Sequence, residues 1–396
     1  SANFFILHIL MQLFVIRILV FVHLLNAGNN FSVSTRLLVN NSPSYIMDMT
    51  MNKKLLALAI SGAVFGTQAV AVELYNEDGT TFSVGGHVSV AVGDVNSDDR
   101  LNSDDIGVES VSPRINFGAT HDLGNGFTAD AKGEWALNML DGGEESFTTR
   151  LGYVGLSHDD YGRAAVGTQW APYYNVAGVA DMPIAFANDF IYEDHGNLGT
   201  GRGEEMVSYG NAIDFGNAGS LNAAVAWQGR KADGANEYGN RAQIALNYAI
   251  ADVTANYAYN TGDVNYFGVV GSKTADSHVL SATYGSYGAE GLYLAGVYAM
   301  NNYMNSGNGQ ILEESVAIEL LASYALSNSL NLSVNYEAVE DDKLSDTVFA
   351  TTALQAEYNF TSQFVGFAGY QFDLQGSGVY KEKADDQWLL GARYYL

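Results

Sequence analysis

The chain has 396 residues, with 18 basic against 44 acidic side chains, no cysteine and four prolines. This balance excludes a nucleic-acid binder, whose affinity depends on neutralising phosphates, and the missing cysteines exclude disulfides and thiolate metal sites. Twenty-five Tyr, 19 Phe and 43 Gly favour strands joined by tight turns.

In chain order, residues 1–50 begin on Ser1 and carry an apolar stretch from Phe4 to Leu25, interrupted by Arg17. Next come a short basic start, Met51-Asn52-Lys53-Lys54, an apolar run from Leu55 to Phe65, and the small-x-small site Ala69-Val70-Ala71. Together these form a signal peptide, because the run is too short to span ~30 Å of hydrocarbon. An anchor upstream of it would place two export elements in series. The expectation is that residues 1–50 arise from translation upstream of a start at Met51, Met47 or Met49, that 51–71 are a cleaved leader, and that 72–396 form the mature domain. Without Arg17, Arg36, Lys53, Lys54 and the single acid Asp48, 14 basic and 43 acidic side chains remain, a formal net charge of −29.

The mature part alternates. Every even residue from Leu330 to Tyr336 is apolar and every odd one to Glu337 is polar; Leu221, Ala223, Val225 and Trp227 repeat the pattern, as does Phe127 to Met139. Sixteen segments are expected near 80–93, 108–121, 127–140, 146–157, 162–169, 202–214, 219–229, 239–249, 252–261, 275–287, 291–302, 312–325, 330–340, 347–360, 363–374 and 386–396. Alternation alone fits either a soluble sandwich or a barrel facing lipid. Connection lengths decide, because short links such as Asp122 to Gly126, Asp159 to Gly162, Asn217 to Gly219 and Leu326 to Ser329 alternate with long ones such as Gly93 to Glu109 and Trp170 to Gly201. The last strand, Gln387 to Leu396, is apolar at every second position and stops on one, as a strand that closes against the first requires. The expected fold is all-β, a 16-stranded antiparallel transmembrane β-barrel with a water-filled lumen.

Five places resemble the trimeric general porins of Gram-negative outer membranes. Val72 to Gly79 is similar to that family's mature N-terminus, Pro113 to Phe117 to its second strand, Thr149 to Leu156 to its fourth, and Asp160-Tyr161-Gly162-Arg163 to the following turn. Gly391, Tyr394 and Leu396 resemble its terminal assembly signal, which usually ends on Phe. The resemblance implies an inward-folded constriction loop at Trp170 to Gly201, with Asp181 and Asp189 as acids facing a basic wall of His87, Arg114, Arg150 and Arg202. Where the family has a second eyelet carboxylate this chain has Ile184 and Ala185, so the transverse field is either weaker than in the family or supplied differently, for instance by Glu193 or Asp194. It also implies a homotrimer in outer-membrane lipid, passing ions and small hydrophilic solutes by diffusion.

Three arginines opposing a net −29 envelope set local charge against overall charge; a modest cation preference is the expected outcome. A strait comparable to the ~8 Å Debye length leaves such wall charges incompletely screened. If His87 lines the lumen, its charge changes near or below pH ~6.5 and conductance or selectivity shifts with it; the alternative is a solvated wall histidine with no effect. The alternative function is a channel selective for an oligosaccharide or other nutrient. An enzyme ranks last, because His87, His121, His158, His195 and His278 show no Ser/His/acid spacing. No cofactor and no metal are expected: Asp94, Asn96, Asp98, Asp104 and Asp105 loosely suggest a calcium loop, but Asp99 stands where glycine is needed. Trp170, Tyr173 and Tyr174 read as packing for the loop, with stacking on a sugar as the alternative.

Overall fold

The computed structural model describes residues 71–94, 106–140, 147–380 and 385–396. Residues 1–50, the expected leader up to residue 70, and the calcium-loop candidates Asn96, Asp98, Asp99, Asp104 and Asp105 lie outside the described residues.

Sixteen strands form one closed antiparallel ring: β1 (Thr80–Asp94), β2 (Gly107–Ser110 and Arg114–Gly124), β3 (Phe127–Leu137), β4 (Phe147–His158), β5 (Gly162–Trp170), β6 (Arg202–Asp214), β7 (Ser220–Gln228), β8 (Asn236–Ile250), β9 (Val253–Asn265), β10 (Lys273–Tyr284), β11 (Gly291–Asn302), β12 (Glu314–Ala325), β13 (Leu330–Asp341), β14 (Asp346–Asn359), β15 (Phe364–Asp373) and β16 (Gln387–Tyr395). Each pairs with its sequence neighbour, and β16 returns to β1 from Asp94↔Trp388 to His87↔Tyr395. Val72–Glu77 folds back on the start of β1, while the Leu396 amide donates to the Gly86 carbonyl at 3.0 Å. The two segments thus lie end to end along β1 and leave no open edge there.

Local chemistry explains the tight rim. The β2–β3 link is Asn125-Gly126 with φ of +53° and +84°, the type I′ turn whose twist suits a hairpin. At Gly86, with φ +126°, a Cβ would stand 2.2 Å from the Arg114 carbonyl oxygen, so only glycine lets β1 and β2 approach.

Burial settles which way the alternation faces. In β13, Asn335 and Glu337 are 4% and 3% exposed, whereas Leu332 and Val334 are 46% and 42% exposed. The polar face is inside and the apolar face outside, the reverse of a soluble sandwich. Strand limits shift where alternation fades: the segment expected at 252–261 continues to Asn265 and that at 239–249 begins at Asn236, because Glu237, Asp263 and Asn265 are polar where the lower strands are apolar.

Candidate functional site

Residues 171–201, between β5 and β6, enter the barrel and run along the inner face of β7 to β14. The segment contains two single helical turns, α1 (Tyr174–Ala177) and α2 (His195–Leu198). Its carbonyls and amides are met by side chains that alternation sends inward. Ser281 Oγ donates to Val176 O at 2.7 Å, Tyr293 OH to Val179 O at 2.7 Å, Asn335 Nδ2 to Phe186 O at 2.6 Å and Asn260 Nδ2 to Leu198 O at 2.8 Å. The Ile184 and Phe186 amides donate to Glu357 and Gln355 at 2.8 and 2.9 Å, and those of Asp189 and Phe190 to Glu337 Oε1 at 3.1 and 2.6 Å. Irregular backbone is thereby satisfied inside the barrel, as buried peptide groups must be. Tyr173, Val176, Val179, Phe190 and Ile191 pack against Val279, Val297, Leu321 and Val339, making an apolar layer between loop and wall. Tyr173 and Tyr174 are fully buried, and Trp170 stacks on Tyr174 at 4.1 Å, so these rings pack the loop.

Across the lumen lies the basic wall. The break in β2 falls at Ser112, with φ +52°, and Pro113, which has no N–H to pair. Just after it, Arg114 turns back onto Ser112, donating from Nη2 to Ser112 Oγ at 2.9 Å. Arg150 Nε donates to Glu134 Oε1 at 2.9 Å, and Arg114 Nη1 stands 4.0 Å from the same oxygen. Lys132 Nζ is 3.8 Å from Glu134 Oε2. Arg202 is held between aromatic faces, 5.5 Å from the Trp170 ring centre and 5.7 Å from that of Tyr192, which fixes a charged group without neutralising it.

On the loop side, Asp181 Oδ2 accepts hydrogen bonds from Tyr174 OH and Tyr192 OH, each at 2.5 Å. Burial between these rings raises its pKa from the usual carboxylate range to about 6; the two phenols oppose the shift, the like charge of Asp189 adds to it, and Arg114 across the gap opposes it. Asp189 is exposed to the lumen. Ile184 and Ala185, as read from the sequence, put no carboxylate between them. Glu193 Oε2 accepts from the Ser306 amide at 2.8 Å, and Asp194 from Asn197 Nδ2 at 2.8 Å.

The expected residues thus come together with one correction. Arg114, Arg150 and Arg202 gather on one wall and Asp181 and Asp189 on the loop, but His87 is only 5% exposed, edge-on to Tyr395 at 5.7 Å. Its burial, with Arg393 and Arg114 as neighbouring charges, removes it from the open water in which a pH-sensing wall position would sit. Sequence reasoning missed Glu134 and Lys132 as members of the cluster, and Arg393, whose Nε donates to Ser89 Oγ at 3.3 Å. All three occupy the polar phase of strands already recognised, which is the signal that would have found them. It also missed Glu319 and Glu337, buried acids beneath the loop, and Glu357, which accepts from the Ile184 amide.

Residues 55–373 match the family model described as Gram-negative porin. Among similar proteins are porin-like protein L of Photobacterium profundum, 26% identical over 87% of this chain and 99% of that protein, and outer membrane porin PhoE of Enterobacter cloacae, 25% identical over 87% and 99%. Among solved structures, Salmonella typhi OmpF in complex with daunomycin superposes with a TM-score of 0.69 at 19% identity, covering 82% of this chain and all of that one. An anion-selective porin from Comamonas acidovorans gives 0.64 at 17% identity, covering 80% of this chain and all of that one. The chain therefore belongs to the Gram-negative porin family and is an outer-membrane general diffusion channel for ions and small hydrophilic solutes.

Proposed function

We propose that the gap between Asp181 and Asp189 on the loop and Arg114, Arg150 and Arg202 on the wall is the selective eyelet of this channel, that permeation is modestly cation-preferring, and that the working form is a homotrimer in outer-membrane lipid. The observation that carries this reading is the loop's route across the lumen: it brings carboxylates to one side of the passage and guanidinium groups to the other. Opposed rows of charge orient dipolar solutes, and in a narrow strait a few charges outweigh many screened ones at the surface. Cation preference follows because Glu134 already offsets part of the basic cluster, while Asp189, Glu193 and Asp194 are the part of the −29 total that the loop carries. Catalysis forms no part of the proposal. Reversal potentials across a potassium chloride gradient test the sign: a shift toward the potassium equilibrium potential is expected, and one toward the chloride potential would overturn the preference.

A further inference from the structure

At the rim of short links, opposite the rim from which the constriction loop enters, the connection from β10 to β11 runs over residues 285–290, six residues where the other described links at that rim have two to five. Within it the Ala289 amide donates to the Ser286 carbonyl at 3.2 Å and Gly288 takes φ +76°, the backbone of a type II turn with its glycine in the third place. Tyr287 stands second in that turn. Tyr161, on another link of the same rim, is 67% exposed, as a turn residue at a water-facing rim is free to be; Tyr287 is 9% exposed. It reaches into the barrel and packs in the same apolar layer as Val179 and Leu321.

Its two ends meet two separate holds on the constriction loop. The hydroxyl donates to Glu357 Oε1 at 3.1 Å, the oxygen that also accepts the Ile184 amide at 2.8 Å. The ring stands edge-on to Tyr293 at 5.8 Å, and Tyr293 OH is the donor to Val179 O at 2.7 Å. Val179 and Ile184 bracket the stretch of loop that carries Asp181. Both holds on that stretch therefore converge on one side chain from the far mouth of the channel. A hydrogen bond and an edge-to-face ring pair each depend on orientation, so a tyrosine that makes both fixes the direction in which Glu357 and Tyr293 point.

We propose that Tyr287 is a positioning residue for the eyelet: it holds Glu357 and Tyr293 where they anchor the loop on either side of Asp181, and so sets how that carboxylate faces Arg114, Arg150 and Arg202. The proposal rests on the eyelet reading and adds to it that selectivity depends on a turn at the opposite rim.

Reversal potentials in a potassium chloride gradient at pH 7.5, recorded on variants shown to be folded by heat-modifiable migration, test it. Tyr287→Ala is expected to shift the potential toward chloride, in the same direction as Asp181→Asn, with noisier single-channel current. Tyr287→Phe, which keeps the ring on Tyr293 and loses the bond to Glu357, is expected to shift it less. On the Asp181→Asn background Tyr287→Ala is expected to shift it no further, because both changes act through one charge; additive shifts would mark a general loosening of the barrel and overturn the positioning role. Tyr161→Ala, the control on the same rim, is expected to match wild type, and a shift equal to that of Tyr287→Ala would count against the proposal in the same way. A wild-type potential in folded Tyr287→Ala overturns it, as does one in Tyr287→Phe where Tyr287→Ala fails to fold. If Asp181→Asn is itself silent the eyelet reading falls; if Asp181→Asn shifts the potential and Tyr287→Ala does not, this inference falls alone.

Discussion

Asp181 is the residue whose charge state lies within reach of ordinary buffers. Its raised pKa of about 6 reflects burial beside Tyr174 and Tyr192, so it is ionised above that pH and neutral below it. Cation preference is therefore expected to fall as pH drops from 7.5 to 5, and Asp181→Asn is expected to flatten the change; a wild-type reversal potential constant over that range contradicts the assignment. Glu134 acts in the same direction from the wall. Replacing it with Gln removes the only carboxylate shown beside Arg150 at 2.9 Å, and a unit charge at ~4 Å is worth about 1 kcal/mol even in water, a severalfold change in local ion concentration. Glu134→Gln should move the reversal potential toward chloride. Asp181 and the three arginines were legible only through resemblance, because a strand shows which residues point inward but not which inward residues face one another across a lumen. His87 shows the same limit: inward by phase, yet covered by its neighbours.

The constriction loop is held by partners far away in sequence. Tyr173 meets Ser277, Tyr293 meets Val179 and Gln355 meets Phe186, all more than a hundred residues apart, so no local pattern in 171–201 states its path. The strands differ, because lipid outside and water inside impose a period of two that can be read residue by residue, as in Leu330 to Glu337. Length and an interrupted polar pattern marked 171–201 as a loop; its inward fold came from the family likeness, and the physical cause is the row of inward acceptors and donors on β8 to β14. Glu337→Ala removes the acceptor for two loop amides, each bond worth about 1 kcal/mol. The barrel should remain heat-modifiable while single-channel current becomes larger and noisier. Current indistinguishable from wild type would show that the apolar layer around Tyr173 and Phe190 holds the loop unaided.

Closure is the property of the whole molecule. Eight residue pairs join β16 to β1, ending at His87↔Tyr395, and a ring lacking them exposes two unpaired edges where no water can satisfy the peptide groups. Deleting Tyr394–Leu396 should prevent folded, heat-modifiable protein from accumulating, and recovery of such protein would contradict the role given to the seam. The account as a whole rests on a continuous aqueous path through a ring that is apolar outside. Single-channel recording of the purified protein in a planar bilayer tests this most directly: discrete conductance steps in potassium chloride, with small hydrophilic solutes also entering proteoliposomes, are the expected result. Protein verified as folded and inserted that yields no steps would contradict it.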